Sequence, residues 1–465
     1  MSAWSPSLVA PWSAAALERI LEDALRVLDQ IGVACAHPAT VRRLLERGGV
    51  DYRGGRLHFA VNPTRAQVLS QRHSEPPAPD ERRLAMGGSW ACLQYCDPRT
   101  GAVRPGTTAE AIAMARLWEA RGYGGVPPLQ PGDVSPRLVT LACERIGLLH
   151  SRALGGAMTV TDPREVRYLI DMNLAAGRRY ALMEQVSISP LRFDDLGLDT
   201  ATQFLGNPDV TVHIAGAIPM AGTTCPLDPY SAVVQSVAEA IAHDRLCQAL
   251  GLGPGGLDLR VEPFDFQYAF IVFGSPEWCL YRLLVLQMQA FLTGRPARGG
   301  TFRSVAKRPD AQAACERTAS VLWQALLGVR HFGAVGQLSV DEVFSPQQAV
   351  IDQAILGYVQ RLMRGCEVEP AGVDPLALIA QGVAEGGFVG VDDTVGRFRA
   401  LYDFPDLFRH WSLGRWSAEG QPNLGEEAWR RAQAEIDGCT FTLPEEQARE
   451  VNRLYEKAAA YVQGA

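Results

Sequence analysis

The sequence predicts an α/β fold of the (β/α)8 barrel (TIM barrel) type, with an N-terminal helical and β-hairpin extension and a C-terminal helical cap. From about residue 107, short apolar runs end in Gly or Pro, and each precedes a segment with helical periodicity. The chain has 465 residues, a length that barrels with added segments reach as one unit. We therefore expect one compact unit with three parts: the extension over 1–105, the barrel over 106–405 and the cap over 406–465.

The N-terminal extension combines helical and strand patterns. Apolar residues recur at helical spacing through 14–46, which predicts an amphipathic helix followed by a second one at 39–46. Short apolar or alternating runs at 57–61 and 85–95 predict strands. The Asp-Pro-Arg-Thr-Gly sequence at 97–101 is a turn signal and predicts a hairpin.

The barrel strands are predicted from eight apolar runs, each followed by a helix-length segment. These runs lie at 123–129, 154–160, 181–188, 211–218, 258–264, 298–304, 331–338 and 379–389. In such barrels, the reactive groups lie at the C-terminal ends of the strands and in the loops that follow. Polar and aromatic residues at these places are therefore the candidates for a functional site.

Helical segments of two kinds complete the predicted fold. After Trp411 and Trp416, helical patterns near 425–436 and 444–462 predict a cap against the barrel. The segment 276–293 is apolar on nearly every face, which indicates burial on more than one side. It is expected to form either a homodimer interface or a second layer of the core.

Charge and composition restrict the kind of partner. The formal net charge is −7 and the isoelectric point is near 5.7, so no basic field is available for nucleic acid or an anionic membrane. No run approaches 18 consecutive apolar residues, and the N-terminus has no basic segment followed by an apolar one. We expect a soluble, cytoplasmic protein that acts on a small molecule and forms a homo-oligomer.

Motifs for metals and dinucleotides are missing from the sequence. The ten cysteines stand alone, the closest being Cys92 and Cys96, so neither a zinc ribbon nor a disulfide framework is indicated. No His-Glu-x-x-His pattern is present. No glycine pair belongs to the strand-Gly-x-Gly-x-x-Gly-helix unit of a dinucleotide site. We expect no metal ligands, no zinc and no NAD.

Five segments carry motifs that resemble those of one enzyme family. They are an aromatic-x-Asp-x-x-Thr-Gly hairpin in 93–101, an Ala-Gly-x-x-x-Pro loop in 220–226, a Gly-Ser-Pro-Glu turn in 273–277, a Lys-x-x-Asp-x-Gln-Ala-x-x-Glu segment in 307–316 and a Ser-x-Gln helix start in 344–352. Together they are similar to the trimethylamine and glycine-betaine:corrinoid methyltransferase family. The similarity covers most of the chain.

The resemblance implies a (β/α)8 barrel that presents a methylammonium compound to the cobalt of a corrinoid on a partner protein. The trimethylamine branch of this family has a pyrrolysine after the seventh strand, and the matching place here is near Val340. This difference disfavours trimethylamine itself and favours another small quaternary amine such as a betaine. The family's Gly-Gly-His-aromatic segment is Gly-Gly-Phe388-Val in this chain, without the histidine that faces the corrinoid.

A methylammonium group is recognised by aromatic faces, and each contact contributes roughly 0.5 to 2 kcal/mol. Six aromatic residues lie at predicted rim positions, and Tyr95 is the strongest candidate among them. Each ring could equally belong to the packing of core or rim. The candidates are Trp90, Tyr95, Phe266, Tyr268, Phe302 and Phe388.

The carboxylate of a betaine would need a guanidinium or amide donors. Arg303, at the end of the sixth predicted run, could bind it in a bidentate manner. The alternative is an ion pair between Arg303 and a neighbouring carboxylate such as Glu262. Gln185 and Gln337 could donate hydrogen bonds to a substrate, or satisfy local backbone groups.

Three charged residues are candidates for a catalytic role. Glu184 and Glu262 lie near strand ends, where burial could raise a carboxyl pKa and create a proton carrier. Pairing with arginine or loop capping is the alternative for both. Lys307 precedes a predicted helix at the rim, where it could meet substrate or a corrinoid side chain, or form a surface salt bridge.

Three functions follow from these observations. The first is transfer of a methyl group from a betaine-like amine to a corrinoid protein. The second is a corrinoid-independent descendant that catalyses another reaction on a small polar substrate in a biosynthetic pathway. The third is a non-catalytic protein that binds a small molecule.

Overall fold

The computed structural model describes residues 10–72, 83–88, 90–156, 160, 162–296, 299–365, 372 and 374–464. The fold is mixed α/β. Sixteen α-helices occur among these residues: α1 Ala14–Gln30, α2 Pro38–Glu46, α3 Val61–Ser70, α4 Thr108–Arg121, α5 Val139–His150, α6 Pro163–Ala175, α7 Asp195–Gln203, α8 Pro229–Ala249, α9 Pro276–Thr293, α10 Ala311–Leu326, α11 Pro346–Arg364, α12 Pro375–Ala384, α13 Asp392–Leu401, α14 Leu413–Ala418, α15 Leu424–Gly438 and α16 Glu445–Gly464.

The strands are short. Within the described ranges they are β1 Val33–Ala34, β2 Val50–Arg53, β3 Arg56–Phe59, β4 Ala85–Met86, β5 Gln94–Cys96, β6 Val103–Pro105, β7 Tyr180–Gln185, β8 Ser187–Ile188, β9 Arg192–Phe193, β10 Val210–Ala215, β11 Met220–Ala221, β12 Glu262–Asp265, β13 Phe270–Ile271, β14 Gly299–Thr301, β15 His331–Gly333, β16 Gln337–Leu338 and β17 Val343–Phe344.

The two helices predicted in the N-terminal segment are confirmed as α1 and α2. Ser13 caps α1 by accepting a hydrogen bond from the amide of Ala16, and the apolar stripe that includes Ile20 and Leu28 is buried. The predicted hairpin is confirmed, since β5 and β6 pair antiparallel. Asp97 stabilises the turn between them by accepting hydrogen bonds from two backbone amides.

Parallel pairing joins strands that are distant in sequence. β7 and β10 pair in parallel over six residues, from Tyr180 with Val210 to Gln185 with Ala215. β15 lies between β14 and β4, and both pairings are parallel. The strands belong to five separate sheets, and no closed barrel forms among the residues that the structure describes. The mixed α/β class is thus confirmed, but the closed eight-stranded barrel is not.

The strand predicted at 379–389 is wrong, because most of this segment is helical. Asp374 caps α12 by accepting from the amide of Leu376, and Pro375 stands at the first helical position. An apolar run of this length cannot be assigned to strand or helix by periodicity alone. The outer neighbour of β15 is instead β4, which the sequence analysis assigned to the N-terminal extension.

Predicted and observed strands overlap in five places. β7, β10, β12, β14 and β15 overlap the runs at 181–188, 211–218, 258–264, 298–304 and 331–338.

The two remaining runs are observed only as single bridges. Gly125 pairs in parallel with Leu154, and Cys92 with Leu129. Residues 157–159 of the second run and residue 298 of the β14 run lie outside the described residues.

Helix α9 is part of this chain's own core. Val285 and Met288 pack in one hydrophobic cluster, whereas Leu286 packs in a second. Burial against two different clusters explains why the segment is apolar on more than one face. The observed packing therefore matches the expectation of a second core layer.

The two C-terminal helices cover the outside of other helices. The predicted helices near 425–436 and 444–462 are confirmed as α15 and α16. α15 packs against α11 and α4, and α16 packs against α6 and α5. No helix among the described residues combines the length and hydropathy needed to cross a bilayer.

A fully buried ion pair joins α10 to α11. Arg317 Nη1 donates to both carboxylate oxygens of Asp352, at 2.8 and 2.7 Å, and neither side chain is exposed. Asp352 also accepts hydrogen bonds from the amide of Gly336 and the side chain of Gln348. Four hydrogen bonds from three donor nitrogens thus converge on one carboxylate, which compensates its removal from water.

Replacing Arg317 tests how much stability depends on this pair. Arg317→Met leaves the Asp352 carboxylate buried without its cation, so we expect a loss of about 3–5 kcal/mol in the free energy of unfolding. Chemical denaturation followed by circular dichroism measures it. Arg317→Lys should lose less, because it keeps the charge. Arg453→Met, which removes an exposed pair with Glu450, should change the free energy far less; an equal loss in both Met variants would contradict this account.

Candidate functional site

A cavity of about 480 Å³ lies between α9, the segment 256–262 and residues 295–296 and 299–303. Four arginines and two carboxylates line it, together with the rings of Phe273 and Trp278. Positive charge is therefore in excess on its walls. The six charged residues are Asp258, Arg260, Glu262, Arg282, Arg295 and Arg303.

The charged residues of the segment 256–262 share one face because extended chain has a period of two. Asp258, Arg260 and Glu262 alternate with Leu259 and Val261, which are buried in the core. Arg260 donates from Nε and Nη2 to one oxygen of Asp258, at 2.9 and 2.8 Å. One guanidinium is thus already neutralised within the cavity wall.

The other three arginines keep unused hydrogen-bond donors. The Nε atoms of Arg282, Arg295 and Arg303 are buried and have no partner among the described residues. Arg282 donates its Nη2 to the carbonyl of Gly299 at 2.7 Å. Arg303 Nη2 donates to Asp341 at 3.2 Å, and its guanidinium lies 5.2 Å from the centre of the Phe273 ring. Arg245 and Arg317 also have buried Nε atoms without described partners, so the informative feature is that three such donors surround one cavity with an excess of positive charge, an arrangement that suits an anion.

Glu262 is the buried carboxylate at the base of this group. It accepts a hydrogen bond of 2.6 Å from the indole nitrogen of Trp278. Burial raises the pKa of Glu262, while Arg282 and Arg260 oppose that rise. The carboxyl thus lies between an apolar ring and cations, where a bound positive group would favour its ionised form.

The Gly-Ser-Pro-Glu motif explains why Trp278 reaches Glu262. Ser275 caps α9 by accepting from the amide of Trp278, and Pro276 occupies the first helical position. Gly274 has a φ of +75°, and a Cβ there would come within 2.8 Å of the Cβ of Glu316. Glycine is therefore required at the turn that aims α9 at the cavity.

Glu184 and Gln185 point to opposite faces of β7. Glu184 shares its face with Tyr180 and Leu182, which pack in a hydrophobic cluster, and it is only 2% exposed. Burial raises the pKa of Glu184 to about 7, and its Oε1 has no partner within the described part of the chain. Gln185 donates to the carbonyls of Ser187 and Gly216.

Two of the aromatic residues predicted to contact a methylammonium group are packed in the core. Tyr95 and Phe302 are buried in the same hydrophobic cluster. The Arg104 guanidinium lies 5.5 Å from the Tyr95 ring centre, and Phe302 meets Phe332 edge to face at 5.9 Å. Burial raises the pKa of the Tyr95 phenol. Neither ring lines the cavity.

The four other aromatic residues that were predicted to contact a methylammonium group are exposed. Phe266 and Tyr268 follow β12, directly after the strand that carries Glu262, and Trp90 lies shortly after β4. The Phe266 ring covers Gly222. Phe388 lies after α12, remote in sequence from the cavity lining.

Gln337 and Lys307 make local contacts with the backbone. The fully buried Gln337 donates to the carbonyl of Trp90 at 2.9 Å, and its own Oε1 has no described partner. Lys307 donates to the carbonyl of Val305 at 2.6 Å, and its ammonium lies 5.4 Å from the ring centre of Phe270. Of all the candidates from the sequence, only Glu262 and Arg303 are brought together at the cavity.

Several lining residues were missed by the sequence analysis, although signals for them exist. Arg282 is a basic residue within an otherwise apolar helix, and a cation in such a place must find a partner in the core. Asp258 and Arg260 alternate with apolar residues ahead of Glu262. Within the described ranges, no group of three His, Cys, Asp or Glu side chains could hold a metal ion.

Comparisons with known proteins point to one family. The family model described as trimethylamine methyltransferase (MTTB) matches residues 5–452. Trimethylamine methyltransferase MttB2 of Methanosarcina mazei is 31% identical over 173 residues, which are 37% of this chain and 34% of that protein. MttB of Methanosarcina thermophila is 30% identical over 168 residues, 36% of this chain and 34% of that protein. MttB1 of Methanosarcina acetivorans is 28% identical over 215 residues, 45% of this chain and 42% of that protein.

The aligned part thus spans about a third of the length of the first two relatives. A crystal structure of HydG, a maturase of the FeFe-hydrogenase, is 12% identical in sequence, and the alignment covers 96% of this chain and 97% of the HydG chain. The TM-score is 0.32, so the two folds are not shown to be alike. The family model, in contrast, covers nearly the whole sequence. The chain therefore belongs to the trimethylamine methyltransferase family.

Proposed function

We propose that the protein transfers a methyl group from a small quaternary amine with a carboxylate, such as a betaine, to the cobalt of a corrinoid on a partner protein. Family membership supports methyl transfer. The choice of substrate rests on the cavity lined by Arg282, Arg295 and Arg303. Within the described residues, no group accepts a hydrogen bond from the Nε atoms of these three arginines.

We also propose that the parallel strands belong to one (β/α)8 barrel. β4, β15 and β14 would be three neighbouring strands, and β7 and β10 two more. The parallel bridge between Gly125 and Leu154 supports one further pair of strands, which lies between β4 and β7 in chain order. In this arrangement β4 is the first strand of the barrel, so the segment 379–389 is not needed to close it.

The charge of the cavity favours a zwitterion over a simple cation. A methylammonium ion without an anionic group would meet an excess of guanidinium groups, which repel it at short range. In a betaine, the carboxylate can accept from the free donors of Arg303 or Arg282. The onium group can then lie near Glu262 and the rings of Trp278 and Phe273, where both the carboxylate and the aromatic faces attract it.

The chemistry asks little of the protein side chains beyond orientation. When the carbon–nitrogen bond breaks, its electron pair stays on nitrogen, and a neutral tertiary amine leaves without needing a proton. Arg303 and Glu262 hold the two ends of the zwitterion and fix the direction of the methyl group. The partner's corrinoid would supply the nucleophile when it is bound.

Exposed aromatic side chains give a flat tetrapyrrole an apolar surface. Phe266 and Tyr268 follow the strand that bears Glu262, and Trp90 is also exposed. Aromatic rings of this kind fit a macrocycle that must approach the substrate from solvent. The chain has no histidine at Phe388 to reach the corrinoid, so these rings are the residues that we assign to its contact.

Mixing the protein with reduced cobalamin tests the reaction directly. We expect glycine betaine or a related betaine to convert cob(I)alamin to methylcobalamin, seen as a change in the visible spectrum. A panel of betaines with an added corrinoid protein extends the assay. Turnover of a substrate without any cobalt would instead favour the corrinoid-independent descendant, and binding without turnover would favour the non-catalytic protein.

Arg303→Gln tests the recognition of the carboxylate. A lost charge-assisted hydrogen bond should weaken the binding of glycine betaine by about ten- to a hundredfold, measured by calorimetry. Binding of choline, which keeps the onium group but lacks the carboxylate, should not weaken. Arg430→Gln, at a position 78% exposed on α15, is the matched control. An equal loss for both ligands would remove Arg303 from carboxylate recognition.

Glu184 distinguishes this proposal from an acid–base enzyme. A pKa of about 7 suits proton transfer near neutrality. Its side chain, however, lies on the face of β7 opposite Gln185, against the hydrophobic cluster of Tyr180 and Leu182. We therefore assign it no step in methyl transfer.

The raised pKa of Glu184 predicts a pH dependence of stability. The folded protein keeps this proton up to about pH 7, whereas the unfolded chain releases it near pH 4.5, so stability falls as pH rises through this window. Glu184→Gln should raise the free energy of unfolding at pH 8 by roughly 2 kcal/mol after screening by solvent is allowed for. At pH 4 the two proteins should be equal. Glu456→Gln is the exposed control, and a pH-independent difference for Glu184→Gln would contradict the assignment.

A further inference from the structure

Helices α12 and α13 form an arm, defined here as residues 374–404, that packs little against the rest of the chain. Within α12 only Gly382 is buried, and α13 has no buried residue. Neither helix makes extensive contact with another described element. The arm is held at its end, where Arg361 donates to the carbonyl of Leu401 and Arg364 pairs with Asp403 at 3.8 Å.

The arm exposes apolar side chains that would normally be covered. Leu376 is 76% exposed and Val389 is 88% exposed. Ten-residue helices are marginal in water without packing, and contiguous apolar surface on a folded protein marks an interface. The exposed large apolar residues of the arm are Leu376, Ile379, Val383, Phe388, Val389, Val395, Leu401, Tyr402 and Phe404.

The area of this surface matches that of a stable protein interface. Nine large apolar side chains at roughly 100 Å² each give roughly 900 Å² per chain, close to the ~800 Å² that each partner contributes to a standard interface. Burial of that apolar area would also supply the packing that α12 and α13 lack. One folded partner of ordinary size is therefore sufficient to cover the arm.

The charges of α13 are self-complementary. Asp392 is exposed in its first turn and Arg399 is exposed in its last turn, whereas Asp393 and Arg397 pair with each other within the helix at 3.1 Å. When two copies of such a helix pack antiparallel about a twofold axis, the acidic end of each faces the basic end of the other. A twofold interface uses the same patch on both subunits, so it requires this kind of self-complementarity.

We infer that the arm is a self-association surface, on which the arm of a second copy of this chain packs about a twofold axis. The inference does not rest on the proposed methyl transfer. It places the interface on the arm instead of on α9, where Val285, Leu286 and Met288 pack within the chain. The apolar residues supply the area, and the ends of α13 supply the orientation.

Sedimentation velocity of the full chain tests the inference. We expect a dimer, and we expect Val383→Glu with Val389→Glu to raise the dimer dissociation constant at least tenfold, because the interface would then bury carboxylates. Both positions are exposed in the single chain, so the fold should tolerate the change. Leu196→Glu with Leu174→Glu, at exposed positions outside both the arm and α9, is the matched control. A monomeric wild type, or a dimer that the arm variant leaves intact, would overturn the inference.

Charge reversal tests the antiparallel orientation. Asp392→Arg alone should weaken the dimer, because it brings like charges together at both symmetric contacts. Combining it with Arg399→Asp should restore association, since the two reversed residues then face each other across the axis. Failure of the double variant to recover would overturn the antiparallel arrangement. Loss of binding to a corrinoid protein with self-association unchanged would show that the arm serves that partner instead.

Discussion

A guanidinium buried within an apolar helix sets the geometry of the cavity. Arg282 lies in the middle of α9 and is only 8% exposed, so it must be compensated inside the protein. It donates to the carbonyls of Leu259 and Gly299, which belong to the two segments on either side of the cavity. One side chain thus ties the helix to both walls. If the Arg282 side chain moved away, the carbonyls of Leu259 and Gly299 would lose a hydrogen-bond donor. Arg282 therefore holds the two walls at a fixed distance and keeps a positive charge in the cavity.

The selectivity that we propose for the cavity follows from the same constraint. Arg260 is neutralised by Asp258, but the Nε atoms of Arg282, Arg295 and Arg303 stay without described partners. A buried hydrogen-bond donor without a partner lowers the stability of the folded protein. An anion that accepts a hydrogen bond from it removes this loss. Glu262 and the indole of Trp278 add a negative and an apolar surface nearby. An arrangement with both signs of charge suits a zwitterion, whose two charged groups are fixed at a short distance from each other.

Three regions of the chain illustrate how packing and exposure separate different roles. Tyr95 and Phe302 contribute to the core, where their rings are fully used by neighbouring side chains. Phe266 and Tyr268 remain exposed beside the strand that bears Glu262, where a second molecule can reach them. The arm exposes apolar residues far along the sequence from that strand, which is typical of a surface reserved for another protein chain.

The sequence by itself determined the family, the mixed α/β class and many element boundaries, because these depend on local signals. The Ser275 helix start, the turn at Asp97 and the spacing of Ile20 and Leu28 are all readable within a few residues. Arg303 and Glu262 were also predictable, since both lie at or beside the ends of apolar runs.

Only the tertiary structure decided which candidates meet. Glu184 and Gln185 are neighbours in sequence, but strand alternation sends them to opposite faces. Tyr95 follows the expected motif, yet long-range packing buries it. Arg282 joins Arg295 and Arg303 because α9, which carries Arg282, lies beside the segments that carry the other two, and no short window of sequence encodes that packing. The apolar run at 379–389 became helix and exposed arm instead of strand, since the place beside β15 is taken by β4, about three hundred residues earlier in the chain.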